Sequence, residues 1–195
     1  QRFNYVLPSL QINIAKWNIN YSVNVNEPSV NNLQPVTDNS NPLYVQNGNP
    51  ALKPAVSHSL NINTYNYNMK SNINYNIYLY GTINDNAVVY ARTVDKSGVQ
   101  VTTPVNANGV WATQANMNFN KQVKFSKDWK FSAGANMWAT YNQGLVIVNE
   151  YKSTIKNLGI SPRANISFNW KDIFEFRQNY GVSWNKSSYT GNVFP

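Results

Sequence analysis

The sequence predicts an all-β chain, an antiparallel up-and-down meander of about eight strands, on three observations. Apolar and polar residues alternate with a strand period, helix-period stripes are nearly absent, and only 12% of 195 residues are charged against 42% hydrophobic and 14% aromatic. Alternation places successive side chains on opposite faces of a strand. Soluble domains carry about 25% charged residues; here 35 asparagines take up much of that share. Six Trp, 13 Tyr and 8 Phe exclude a disordered chain. The longest aliphatic run, Leu145 to Val148, excludes a membrane-spanning helix, which needs about 18 apolar residues or more. The absence of cysteine excludes disulfides and thiolate metal sites. With no Met and no signal peptide at Gln1, residues 1–195 are expected to be a single segment of something larger.

Strands are expected at about 4–13, 17–25, 56–67, 72–94, 99–123, 129–148, 160–170 and 174–188. In the second, Trp17, Ile19, Tyr21, Val23 and Val25 alternate with Asn18, Asn20, Ser22 and Asn24. In the fourth, Ile73, Tyr75, Ile77 and Leu79 alternate with Asn72, Asn74 and Asn76. Ala115, Met117 and Phe119 oppose Asn116, Asn118 and Asn120 in the fifth, and Phe131, Ala133, Ala135 and Met137 line one side of the sixth. In the seventh, Ala164, Ile166, Phe168 and Trp170 alternate with Arg163, Asn165, Ser167 and Asn169. Asparagine is normally depleted in strands. Its repetition on one face indicates a surface that is wet and nearly uncharged.

The breaks alternate in length. Short ones carry a lysine: Ala15-Lys16, Asn68 to Ser71, Ser126-Lys127-Asp128 and Lys171-Asp172. Longer ones lie between them: a loop from about 26 to 54, a reversal at Asp95-Lys96-Ser97-Gly98 and a loop from Asn149 to Gly159. In a meander this collects the short turns at one end and the long loops at the other, an asymmetry of transmembrane barrels. The arms 72–94 and 99–123 exceed the roughly 9–11 residues that cross a bilayer and are expected to continue as a hairpin beyond it.

A soluble extracellular β-sandwich, such as a glycan-binding module, would also alternate, and an adhesin or assembly protein is a third reading. Three features tilt towards part of a transmembrane barrel. Trp17, Trp111, Trp129, Trp170, Tyr67 and Tyr80 fall towards strand ends, as in interfacial aromatic girdles. The polar face is asparagine where soluble sheets use Lys, Glu and Thr. The turn lengths alternate.

The long loop reads Asn41-Pro42-Leu43, then Gly48-Asn49-Pro50-Ala51-Leu52-Lys53-Pro54. Its order resembles the barrel of TonB-dependent receptors, in particular the outer-membrane β-barrel family abundant in Bacteroidetes, whose strands are joined by a Gly-Asn-Pro-x-Leu-x-Pro loop. That family often continues with Glu where this chain has Ala55. Leu7-Pro8-Ser9-Leu10 and Pro104 to Gly109 also look familial. The resemblance implies a bacterial outer-membrane location and import of a bound nutrient, powered by TonB through a plug domain. It makes Asn41, Pro42, Gly48, Asn49, Pro50, Leu52 and Pro54 structural residues of a rim loop, with Gly48 free to adopt positive φ. Such receptors have about 22 strands, so this segment would supply part of the wall, with the plug and the other strands elsewhere. Under this reading Trp17, Ile19, Tyr21, Val23, Ile73, Tyr75, Ile77 and Leu79 face lipid. Asn18, Asn20, Asn24, Asn72, Asn74 and Asn76 face the lumen.

Catalytic and metal chemistry finds little support. The eight acidic residues show no acid–base spacing, and Asp38, Asp95, Asp128 and Asp172 fall in expected turns. His58 is the lone histidine, read as packed rather than ligating. Asn84-Asp85-Asn86 lacks the rest of a calcium loop and reads as a turn. The net charge of +8 is scattered apart from Lys121, Lys124, Lys127 and Lys130, which argues against nucleic-acid binding. No cofactor and no enzymatic activity are expected.

Overall fold

The computed structural model describes residues 3–191. Its first half runs through β1 (Ser9–Ile14), β2 (Trp17–Asn26), a one-turn helix α1 (Val30–Leu33), β3 (Thr37–Asp38), β4 (Tyr44–Asn47), β5 (Ala55–Asn68), β6 (Ile73–Asp85) and β7 (Ala87–Val94). The second half holds β8 (Gln100–Ala107), β9 (Val110–Lys124), β10 (Trp129–Val148), β11 (Tyr151–Trp170), β12 (Phe174–Gly181) and β13 (Trp184–Thr190).

The wall is an antiparallel meander in the order β1-β2-β5-β6-β9-β10-β11, flanked by β12 and β13, which pair successive stretches of β11. β12 and β13 therefore act as one strand broken at Val182 and Ser183, and the wall has the expected eight strands. β1 does not pair with β12 or β13, so the sheet is open among the described residues. Among the described residues no second sheet covers its apolar face: Trp17, Leu60, Met117, Phe119, Phe168 and Trp170 are all exposed. That is not the architecture of a sandwich, which buries one face of each sheet against the other.

Four short turns, at Ala15-Lys16, Met69 to Asn72, Phe125 to Asp128 and Lys171 to Ile173, lie at one end of the wall. Positive φ at Ala15, Asn72, Lys171 and Asp172 lets the chain reverse within so few residues. Asn72 is thereby a turn residue (φ 48°) just ahead of β6, and it lines a small cavity with Tyr67, Asn74 and Asn120. The opposite end carries the 27–54 loop, the β7–β8 hairpin and the β10–β11 tip.

Three expectations change. The first strand begins at Ser9 and not at residue 4; Pro8 offers no N–H, but its carbonyl still accepts from Val23 N at 3.1 Å. The arms 72–94 and 99–123 are not continuous. They break at Asn86 (φ 53°) and at Gly109 (φ 93°), and the β7–β8 hairpin bends off the β6–β9 ladder. The loop expected from Asn149 to Gly159 is strand: Asn149 and Glu150 alone make the turn, both at positive φ, and β11 pairs with β10 from Tyr151 onward. Lys152, Ser153, Lys156 and Asn157 hid that strand, because they interrupt the apolar alternation that marks the rest of the wall. The 27–54 loop, for its part, shares a core with the β7–β8 hairpin. Leu52, Ala55, Ala87, Pro104 and Ala107 are buried together where loop and hairpin meet, while much of the wall is half exposed.

Candidate functional site

The register sorts the wall's side chains into two faces. One face runs Ile14-Trp17-Thr64-Ile77-Met117-Met137-Pro162 across seven strands, and the next row runs Ile12-Ile19-Ile62-Leu79-Ala115-Ala139-Ile160-Trp184. An open apolar groove of about 870 Å³ follows the first of these rows, lined by Trp17, Ile77, Met117, Met137, Pro162 and Tyr180. Towards the short turns this face is aromatic: Trp129 and Trp170 lie 6.2 Å apart, Phe131 and Phe168 4.8 Å apart, and the Lys171 ammonium sits 5.4 Å from the Trp170 ring. Towards the other end Trp111 meets Tyr141 edge-on at 5.0 Å.

The spacing of these aromatic bands is informative. Trp129 and Tyr141 share one face of β10, with Phe131, Ala133, Ala135, Met137 and Ala139 between them. At roughly 3.3 Å per residue their separation is about 40 Å along the strand. A tilt of about 45° turns that into about 28 Å along the membrane normal, the thickness of a bilayer's hydrocarbon core.

The other face is built of amides. Its rows run Asn18-Asn63-Tyr78-Asn116-Trp138-Ser161 and Tyr67-Asn74-Asn120-Gly134-Asn165-Asn179. These amides bond to one another. Asn63 Nδ2 donates to Asn18 Oδ1 at 3.3 Å and to Asn61 Oδ1 at 3.2 Å, Asn61 donates to Tyr78 Oη at 3.1 Å, and Asn136 donates to Asn118 at 2.6 Å. Asn20 donates to Asn18, which donates to Asn13. Asparagine is both donor and acceptor, so neighbouring side chains can satisfy one another without a charge. The small Gly134 leaves room for Asn120 and Asn165: a Cβ there would come within 2.2 Å of Asn120 Oδ1.

The lumen candidates Asn18, Asn20, Asn24, Asn74 and Asn76 share this amide face, and the lipid candidates Trp17, Ile19, Tyr21, Val23, Ile73, Tyr75, Ile77 and Leu79 share the apolar one. Val23 departs from its neighbours by being buried. Tyr67 and Tyr80, read from sequence as girdle residues, stand on the amide face with Tyr78 and Trp138. Sequence reasoning missed Tyr78 and Trp138; their signal was parity with the asparagines Asn76 and Asn136.

The long-loop end forms a cap. Asn49 joins three segments: its N–H donates to Asn32 O at 2.6 Å, its Oδ1 accepts from Ala51 N at 2.9 Å, and its Nδ2 donates to Pro104 O at 2.9 Å. Asn41 Oδ1 accepts from Leu43 N, holding the turn of Pro42 that leads into β4. β4 then pairs in parallel with β8 through Tyr44↔Gln100. The β10 tip joins the same cap, with Asn149 N donating to Arg92 O at 2.9 Å and Val94 N to Asn149 Oδ1 at 2.8 Å. Gly48 is not at positive φ; its need for glycine is steric, since a Cβ would lie 1.8 Å from the Gln34 carbonyl oxygen. Pro50 follows in the turn, and Leu52 and Pro54 are buried. Asn41, Gly48, Asn49, Leu52 and Pro54 thus have structural places in the loop, and Gly48 also lines a small cavity with Gln34 and Asn47.

Charged groups stay peripheral. Asp95 Oδ1 accepts from Ser97 Oγ, Ser97 N and Val99 N, and Ser97 first holds this carboxyl below the usual range. Asp38 is lowered by the backbone N–H of Ser40, and Asp172 by its bond and charge pairing with Lys130. His58 Nδ1 lies 2.8 Å from Tyr21 Oη and its Nε2 3.6 Å from Asp85, which packs the ring between neighbours. Among the described residues no group of three or more His, Asp or Glu could hold a metal.

No curated protein matches the chain. The two-faced wall, its aromatic bands and its capped end agree with the comparison to protein families, in which the outer membrane protein beta-barrel family matches residues 1–193. The chain belongs to that family, a β-barrel family of the bacterial outer membrane.

Proposed function

We propose that this chain is a non-enzymatic part of the barrel of a TonB-dependent receptor, providing wall and extracellular loops for nutrient uptake. The observation that carries the reading is the cap: the Gly48 to Pro54 motif fastened through Asn49 and Asn106 to the β7–β8 hairpin, at the end remote from the short turns. A receptor needs such a rigid rim above a wet interior. The amide face supports the same reading. Its asparagines with Tyr78, Tyr80 and Trp138 offer neutral donors, acceptors and stacking surfaces to water, to a plug or to a sugar-like solute, without the cost of burying a charge. Outer-membrane lipid meets the apolar face, TonB acts through the plug of the full-length protein, and nucleic acid is not a partner.

The test is uptake by cells whose outer membrane carries the full-length protein, using a labelled panel of a ferric chelate, cobalamin and an oligosaccharide. Accumulation of one member that depends on both this protein and TonB is expected. Accumulation that persists without TonB, or an open pore in planar bilayers, would overturn the receptor reading while leaving the barrel intact.

A further inference from the structure

The net charge of +8 is not spread evenly along the wall. The four short turns carry Lys16, Lys70, Lys127 and Lys171, and the strand ends beside them add Lys121, Lys124, Lys130 and Arg177. Only Asp128, Asp172 and Glu175 oppose them, so eight basic residues face three acidic ones. At the capped end Lys53, Arg92, Lys96, Lys152, Lys156 and Lys186 are nearly balanced by Glu27, Asp38, Asp85, Asp95 and Glu150, six against five.

All three acids of the short-turn end are already engaged, in the pairs Lys130–Asp172 at 2.8 Å, Lys171–Asp128 at 3.8 Å and Arg177–Glu175 at 2.7 Å. Lys70, Lys121, Lys124 and Lys127 are exposed and have no carboxylate partner among the described residues. Lys124 stands directly opposite Lys130 at the turn end of the amide face, a like-charge pairing for which Asp172, bound to Lys130, supplies the only nearby carboxylate among the described residues. Immediately above these lysines is the Trp129–Trp170 and Phe131–Phe168 band, at the level where aromatic rings meet headgroups.

We propose that the short-turn end is a docking surface for anionic phospholipid headgroups, with Lys70, Lys121 and Lys127 neutralising lipid phosphates and Lys124 adding positive potential from the end of the amide face, while the aromatic band sits at the hydrocarbon boundary. Lys121 reaches this layer from the apolar face by extending its side chain towards the turns. The inference rests on family membership and charge placement, and is independent of any transported ligand.

The test is competition between lipids. The purified protein in detergent micelles is offered equimolar phosphatidylglycerol and phosphatidylcholine, and retained lipid is counted by native mass spectrometry. Enrichment of phosphatidylglycerol by about fivefold or more is expected, falling towards parity in salt well above physiological strength. The variant K70Q/K121Q/K124Q/K127Q should retain both lipids equally, and K96Q/K152Q/K156Q should keep the preference. Parity in the unaltered protein, or enrichment that survives in the fourfold variant, would overturn the proposal. So would equal loss in both variants, or tight capture of an acidic protein at this end without lipid selectivity. If the fourfold variant does not fold, the salt titration and the single variant K127Q decide.

Discussion

The side-chain amide of Asn106 is bonded on both sides to the backbone of Lys53: its Oδ1 accepts the Lys53 N–H at 2.7 Å and its Nδ2 donates to the Lys53 carbonyl at 2.9 Å. The same Nδ2 also donates to Asn86 O at 2.7 Å, where the chain leaves β6. One residue of the hairpin thus replaces the strand partner that the loop lacks. Asn106→Leu keeps the size and removes every bond, leaving backbone groups beside a buried core unpaired at about 1–3 kcal/mol. The 27–54 loop should then be cut by a protease markedly faster than in the unaltered protein, and unchanged cutting would contradict this role.

Gly48→Ala sets a methyl group against backbone, the Gln34 carbonyl, where no side chain can swing aside. A cost of about 1–3 kcal/mol is expected, as for overpacking elsewhere. Gly98→Ala offers a contrast, because it meets nothing within 4 Å but sits at φ 85°. Its strain of about 1–2 kcal/mol should stay within the β7–β8 tip. Hydrogen exchange at Asn49 and Leu52 separates the two, rising in the first variant alone.

Thr64 faces Trp17 and Ile77 on the apolar face, is 2% exposed, and its hydroxyl has no hydrogen-bond partner among the described residues. Thr64→Val has the same shape without that unpaired group. It should stabilise the barrel wall by about 1 kcal/mol in denaturant unfolding from micelles. A lower midpoint would show that the hydroxyl has a partner in lipid.

The β7–β8 tip should depend on acid pH. Asp95 has its pKa lowered by Ser97 and Val99, so its contribution is complete above the ordinary carboxylate value of 3.8 and is lost as pH falls through the lower folded value. Protection of the Ser97 and Val99 amides should therefore decline below about pH 4. Asp95→Asn should show weak protection at neutral pH as well.

Much of this wall was legible because a sheet between lipid and water must alternate, and Trp17 to Val25 or Ala164 to Trp170 do so without interruption. Where the chain leaves the bilayer that constraint lapses. The stretch from Tyr151 to Gly159 is strand without an apolar face, and only its pairing with β10 reveals it. The kinks at Asn86 and Gly109 were hidden in long alternating arms, since one positive φ leaves no trace in periodicity. Prolines and Gly48 marked the rim loop, but Asn49 and Asn106 clasp partners about fifty residues away, a distance that no local pattern spans.

The two-residue parallel pairing of β7 with the β10 tip, Ile147↔Ala91 and Val148↔Arg92, sets an order of assembly. Wall hairpins such as β10–β11 close on two-residue turns and can zip locally, whereas the cap needs β4, β7, β8 and β10 in place together. Contacts of such sequence separation form late, because loop closure must precede any gain from them. The cap is then expected to form after the wall hairpins that it joins. Its segments reach the far side of the membrane before they have a core to shelter them, so damage to the clasp should trap an inserted barrel with a ragged mouth rather than prevent insertion.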